Sequence, residues 1–248
     1  MNLKRFVLII FLLASVSTAV LAQESIVTDR PDQTESSITV PHKSFQLEMG
    51  GVYLFDEPGN AGWGGVLLRY GLFDGLELRL GTAFGSYSDT VGNINGLNPV
   101  EVGFKTYITE EKGCLPEIAF IGVIVVPGLA SSNLDIKYPA PIMKIAASHT
   151  LSPVFSLGYN LGAIWDGESP VPIWSYTLAI GGSISEKIGF FIEPYAYFQD
   201  GAEPQHLLDG GFTYKLTPLM QFDVSGGVGL NAAAPDAFVS AGFSFRTK

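Results

Sequence analysis

The sequence predicts an all-β fold: a transmembrane up-and-down antiparallel barrel of about 12 strands, preceded by a cleaved signal peptide. Three observations lead there. Apolar and polar residues alternate with period two in segment after segment, the period at which a strand sends successive side chains to opposite faces. Most of these segments are long enough for a tilted strand to cross a hydrocarbon layer. The connections alternate between tight turns and longer loops, the pattern of barrels that face a periplasm on one side and the outside on the other.

Composition narrows the class. The chain has 248 residues, with 14 Lys+Arg, 24 Asp+Glu and a formal net charge of -10. Charged residues make up 15%, aromatic residues 12% and hydrophobic residues 47%, with 29 Gly and a mean hydropathy of +0.29. Few charges and many aromatics exclude a disordered chain. A single Cys, Cys114 in a turn, excludes a disulfide scaffold. After the N-terminus no apolar run reaches helical-span length; the longest, Ile118 to Leu129, is β-branched and holds Pro127. The acidic balance argues against nucleic acid as a partner. High Gly, high aromatics and low charge together suit a membrane barrel.

The elements follow in order. Residues 1–22 read as a signal peptide: Lys4 and Arg5, then an apolar stretch from Phe6 to Leu13, then Val20-Leu21-Ala22 as a small-residue cleavage site. Residues 23–43 are polar and do not alternate; they stay in the periplasm or enter the lumen as a plug. The barrel occupies 44–248, with strands expected at 44–55, 62–71, 75–87, 97–109, 116–127, 139–150, 153–165, 172–184, 187–198, 205–216, 218–230 and 236–247. In 153–165, Phe155, Leu157, Tyr159, Leu161, Ala163 and Trp165 share one face, and Ser156, Gly158, Asn160 and Gly162 the other. Near the C-terminus Phe243-Ser244-Phe245 resembles the terminal signal read by barrel-insertion machinery, although Arg246-Thr247-Lys248 follow it.

Turn chemistry divides the strands. Leu72-Phe73-Asp74, Ser152, Ser185-Glu186 and Thr217 are tight, and 110–115 is the longer member of that set. Segments 56–61, 88–96, 128–138, 166–171, 199–204 and 231–235 are the longer loops, rich in Gly, Pro, Asn and Asp. An even strand count puts both termini on the short-turn side, the periplasm for an exported chain. Trp165 and Trp174, with Tyr70, Phe155 and Phe222 near the turns, suit interfacial girdles against outer-membrane lipid.

Parity then assigns the lumen. Its acids are Glu48, Glu77, Glu101, Glu117, Glu193, Asp209 and Asp223; its bases are Arg69, Arg79, Lys105, Lys144, Lys215 and Arg246. The near balance of sign does not predict an anion-selective pore. These charges either pack as a salt-bridge network that fills the barrel or line a polar path for a small solute. A barrel of intermediate strand number admits both. The strand 116–127 is apolar on both faces apart from Glu117, so part of the lumen is expected to be greasy, with Phe191, Tyr195 and Tyr197 facing it.

The segment Thr28-Asp29-Arg30-Pro31-Asp32-Gln33-Thr34-Glu35-Ser36, followed by Val40-Pro41 and Phe45-Gln46-Leu47-Glu48, resembles the outer-membrane proteins grouped as a meta-pathway (MetA-pathway) phenol-degradation family. Leu-Ser-Pro and Leu-Thr-Pro turns at Leu151 to Pro153 and Leu216 to Pro218 extend the likeness along the chain. The resemblance implies an outer-membrane transporter and uptake of hydrophobic or aromatic compounds. It implies no catalytic residue and no cofactor. Asp29, Arg30, Asp32 and Glu35 are the candidates for a latch that pairs with lumen charges.

The expected function is passive passage of small solutes. The rival is a closed barrel with a structural or binding role, or a lipid hydrolase. Hydrolysis needs a nucleophile, a base and an orienting group within reach. His149 beside Ser148 is the best pair, but neighbours on a strand point to opposite faces; Ser156 on the next strand is a formal alternative. Asp166, Glu168 and Asp200 in the loops could attract Ca²⁺, but a solvated acidic rim is the expected reading, and no metal or cofactor is expected.

Overall fold

The alternation read along the chain closes into a cylinder. A computed structural model describes residues 24–56, 59–88 and 92–248. The expected signal peptide, 1–22, lies outside the described residues. The strand segments are β1 (Phe45–Asp56), β2 (Gly59–Phe73), β3 (Leu76–Ser88), β4 (Asn93–Leu97), β5 (Val100–Thr109), β6 (Glu117–Val126) and β7 (Ala140–Thr150). They continue with β8 (Phe155–Ile164), β9 (Ile173–Ser183), β10 (Ile188–Gln199), β11 (Gln205–Thr217), β12 (Met220–Gly229) and β13 (Ala237–Arg246). Pairing is antiparallel around the sheet, and β1 joins both β2 and β13, with Gln46 opposite Arg246 and Phe55 opposite Ala237. Among the described strands no edge is left at this seam, as a membrane wall requires.

The wall has twelve strands, because β4 and β5 are two halves of one. Phe84–Ser88 of β3 pair with β4, and Leu76–Gly81 of the same strand pair with β5. The expected strand 97–109 is thus interrupted and starts earlier, at Asn93. Pro99 has no N–H to give the ladder, and the break falls on Asn98-Pro99. Ala83 and Thr82 patch it: the Asn98 N–H donates to the Ala83 carbonyl at 2.7 Å, and Thr82 Oγ1 donates to the Asn98 carbonyl at 3.1 Å.

A second boundary also moves. The expected loop 56–61 shrinks to the link between Asp56 and Gly59, which are themselves paired, as are Phe55 and Asn60. Gly59, Asn60 and Gly62 offer no apolar alternation to read, yet their backbones complete the ladder.

Burial is inverted relative to a water-soluble protein. The largest fully buried side chains include Arg69, Lys105, Gln46, Glu48, Glu77 and Glu193. Phe84, Leu161, Trp174, Phe212 and Val239 are each more than half exposed on the outside. A soluble fold hides the second set and solvates the first; a barrel wrapped in lipid does the reverse. Ring pairs on the turn side fit an interfacial girdle: Phe45–Tyr70 centroids lie 4.5 Å apart and Phe222–Phe243 5.0 Å.

Candidate functional site: the lumen and the segment inside it

Residues 24–43 lie within the cylinder. Both ends of the segment are tied on the short-turn side. The Ile26 N–H donates to the Pro218 carbonyl at 2.7 Å, in the β11–β12 turn, and Arg246 Nη2 donates to the Glu24 carbonyl at 2.5 Å. At the other end His42 bridges Gly71, and the Lys43 N–H donates to the Gly71 carbonyl at 2.8 Å. A Cβ on Gly71 would stand 2.0 Å from the Pro41 carbonyl oxygen, so glycine is what lets the two backbones meet. Between these ties the chain rises into the lumen and returns.

A non-repetitive segment inside a barrel has backbone groups that no ladder satisfies, and wall side chains take them. The Asp29 N–H donates to Glu48 Oε2 at 3.0 Å and the Gln33 N–H to Glu193 Oε2 at 2.7 Å. Asn160 does both jobs at Glu35: its Oδ1 accepts from the N–H at 2.7 Å and its Nδ2 donates to the carbonyl at 2.9 Å. The Val40 N–H donates to Glu77 Oε2 at 2.7 Å, and Gln46 Nε2 donates to the Val27 carbonyl at 2.8 Å. Side chains add to these. Thr34 Oγ1 donates to Glu193 Oε1 at 2.5 Å, and Ser37 Oγ donates to Glu117 Oε1 at 2.5 Å and contacts Ser148 Oγ at 2.9 Å.

Four bases of the wall cluster on one side, with Glu48, Glu77, Glu101 and Glu117 of β1, β3, β5 and β6 among them. Arg69, Arg79, Lys105 and Lys144 stand on β2, β3, β5 and β7, while Glu193, Asp209 and Asp223 stand on β10, β11 and β12. The segment answers both sides. Asp29 binds Arg79 and Lys105 at 2.7 Å each and Arg69 at 3.2 Å. Glu35 bridges Arg79 and Lys144 at 2.7 Å each. Arg30 crosses to the acidic side, where Nη2 meets Asp223 Oδ1 and Ser240 Oγ at 3.0 Å each. Its guanidinium lies on a cross-strand glycine pair: a Cβ would come within 2.3 Å of it at Gly50 and 2.4 Å at Gly242.

The carboxyls of the segment feel these surroundings in opposite ways. Burial works against ionising Asp29, but Arg69, Lys105 and Arg79 together outweigh it and hold the carboxyl well below its ordinary range. Glu35 is likewise opposed by burial, yet Arg79 and Lys144 bring it down to about 2. Among the described residues Asp32 has no such cationic partner. Burial, then the charges of Glu193 and Asp209, push it well above its ordinary range.

The remaining parity-assigned residues also reach the interior. Glu48 and Glu77 grip Arg69 at 2.7 and 2.8 Å, Asp209 stands opposite Glu193 in the β10–β11 register, and Arg246 holds Glu24. Glu101 is solvent-exposed and lines a loop-side cavity; Lys215 lines a turn-side one. Cavities lie on both sides of the segment. Two of about 400 and 420 Å³ open toward the loops, and two of about 370 and 350 Å³ toward the turns. Ala119 and Ile121 of β6 are fully buried, and Phe191 and Tyr195 nearly so, giving the interior apolar stretches between its charges.

Sequence reading missed the neutral partners. Asn160, Thr177, Gln46, Gln221, Ser148 and Ser240 bind the segment, and their only sequence signal is sharing parity with the charged lumen residues. His149 and Ser148 part company: Ser148 meets Ser37 inside, while His149 stacks on Tyr159 at 6.0 Å and lies 3.7 Å from Glu111. Asp166 closes its own loop, accepting the N–H groups of Glu168 and Ser169 at 2.8 Å each. Among the described residues no group of three His, Cys, Asp or Glu side chains is placed to hold a metal ion.

Fold and interior together define an outer-membrane β-barrel. Solved structures share the fold. The outer membrane channel from Pseudomonas putida F1 designated COG4313 aligns with a TM-score of 0.69 at 13% identity, over 88% of this chain and 99% of that one. The NanC porin aligns at 0.57 and 13% identity, over 80% and 98%. The KdgM porin, solved in complex with disordered oligogalacturonate, aligns at 0.54 and 11% identity, over 82% and 98%. The chain belongs to the family described as "Putative MetA-pathway of phenol degradation", whose model matches residues 28–247. No curated protein matches it in sequence.

Proposed function

We propose that this protein is a passive outer-membrane channel for small solutes, and that residues 24–43 plug its lumen. One observation carries the reading: the Asp29 carboxylate sits among Arg69, Arg79 and Lys105, while the adjacent Arg30 reaches Asp223. A tether whose Asp29 and Glu35 meet four wall bases and whose Arg30 meets Asp223 is built to seat there. Cavities above and below it supply the two half-paths of a channel. Removing the segment would leave those bases short of two carboxylates and open a route between the cavities.

We extend the proposal to export, insertion and the path itself. Residues 1–22 direct export, both termini face the periplasm, and insertion machinery reads the terminal strand. Glu48, Arg69, Glu77, Arg79, Glu101, Lys105, Glu117, Lys144, Glu193, Asp209, Lys215, Asp223 and Arg246 line the path and its plug seat. Buried apolar patches beside the charges suit solutes with a hydrophobic or aromatic part, in keeping with the family's phenol-degradation description. Kinship of fold with an outer-membrane channel and two porins supports passage over catalysis. The separation of Ser148 from His149 weighs against a lipid hydrolase.

Swelling of proteoliposomes in isotonic sugars tests the channel. We expect faster solute entry than in protein-free vesicles, and faster still for a chain lacking residues 23–40. Entry at the protein-free rate for both chains, with folding verified by heat-dependent gel migration, would overturn the reading in favour of a closed barrel.

A further inference from the structure

Three of the cavities meet at one side chain. Arg30 of the plug borders the turn-side cavity of about 370 Å³ and both loop-side cavities, of about 400 and 420 Å³. A solute crossing between the two sides along this route has to pass its guanidinium. Asp32 and Glu35 also border cavities on both sides. Glu35 is pinned on both carboxylate oxygens by Arg79 and Lys144, and Asp32 is too short to open or close a path by swinging.

Arg30 is held more loosely than the arginines of the wall. Among the described residues all its hydrogen bonds come from Nη2, to Asp223 and Ser240, and Nε is shielded without a partner. Arg69 bonds through all three of its nitrogens. The Arg30 side chain is 20% exposed, against 0% for Arg69 and 7% for Arg79.

The wall beneath Arg30 is bare. Ala83, Gly65, Gly50 and Gly242 stand in register on β3, β2, β1 and β13. Side chains fill the lumen of a small barrel, so a row of glycines leaves a groove along the wall. The guanidinium lies in that groove, across Gly50 and Gly242.

We propose that Arg30 is the gate, and the size-determining residue, of a path past the seated plug. With Nη2 on Asp223 and Ser240, the guanidinium closes the groove. When it swings off them, the turn-side and loop-side cavities join over Gly50 and Gly242, and small solutes pass while the plug stays in place. The gate rests on the reading of residues 24–43 as a plug in a channel.

Conductance of a chain whose plug cannot leave tests it. The Oγ atoms of Ser37 and Ser148 are 2.9 Å apart, so Ser37→Cys with Ser148→Cys, in a Cys114→Ser background, locks the plug to β7 by a disulfide. We expect brief, small steps from the locked chain, and steady steps about threefold or more larger once Arg30→Ala is added. Gly50→Leu guards against a plug that merely shifts. The nearest atoms a Cβ at Gly50 would meet all belong to the Arg30 guanidinium, so Arg30→Ala makes room for it. Leucine there should refill the groove and return the steps to about the locked level. Steps no larger with Arg30→Ala than without it, silence of both included, overturn the gate, and so does Gly50→Leu without effect. A chain lacking residues 23–40 separates the two readings. Conductance from it while the locked Arg30→Ala chain is silent removes the gate alone; silence from every chain, with folding verified, removes the channel as well.

Discussion

Lys105 Nζ holds both carboxylate oxygens of Asp29, at 2.7 and 2.8 Å, across 76 residues of sequence. Both side chains are almost wholly shielded from solvent. Removing one member of a buried ion pair leaves the other charge uncompensated, at a cost of about 3–5 kcal/mol. Asp29→Asn therefore strands Lys105 and weakens Arg69 and Arg79. We expect the segment of this variant to be cut faster by protease in detergent while the barrel stays intact; unchanged protection would remove Asp29 from the latch.

The glycine pair beneath Arg30 gives an independent handle. A Cβ at Gly242 would displace the guanidinium, which can swing away only by leaving Asp223 and Ser240. Gly242→Ala should loosen the segment by about 1–3 kcal/mol, the scale of a lost charged hydrogen bond with its partner left buried. Combined with Arg30→Ala the two effects should not add, because they break the same contact. A protease-protection cycle over the four proteins reads this directly.

The wall was legible because period two is a local signal. Placing Glu193 and Asp209 on one face needs only their strand neighbours, and the same rule puts Lys105 and Arg79 inside. The segment was less legible. Thr34 reaches Thr177 and Glu193 across more than a hundred residues, and an aperiodic run has no face to read. Charge content alone pointed to Asp29, Arg30 and Glu35, while the neutral Ser37 and Asn160 gave no such hint. The split at Asn98-Pro99 and the short Asp56–Gly59 link escaped notice for a related reason: glycine and asparagine pair their backbones without showing an apolar face.

Acid should loosen the plug. Glu35 falls from its ordinary 4.5 to about 2 in the seated segment, against burial and through Arg79 and Lys144, and Asp29 lies well below its ordinary 3.8. A depressed carboxyl stabilises the seated form above its ordinary pKa and loses that contribution as pH falls through the seated value. Asp32 acts oppositely: being raised, it favours seating below its ordinary 3.8 and loses that contribution as pH rises through its seated value. Below pH 3.8 the contribution of Asp32 is complete and only the depressed groups still change, so channel openings should rise from there toward about pH 2. Glu35→Gln should flatten part of that rise, and Asp32→Asn should make seating firmer at neutral pH. A pH series of single-channel records checks all three.

His149 should prove dispensable. Its ring packs with Tyr159 and Glu111 on the face away from Ser148. His149→Ala should leave conductance within experimental scatter and change no phospholipid hydrolysis. A lipase activity abolished by this substitution would instead support the enzyme.

The most direct measurement is planar-bilayer conductance of the folded protein with and without residues 23–40, keeping Pro41 to Lys43 that anchor at Gly71. We expect brief or small steps from the full chain and large, steady steps from the shortened one. Equal conductance from both would contradict the plug, and silence from both, with folding confirmed, would contradict the channel.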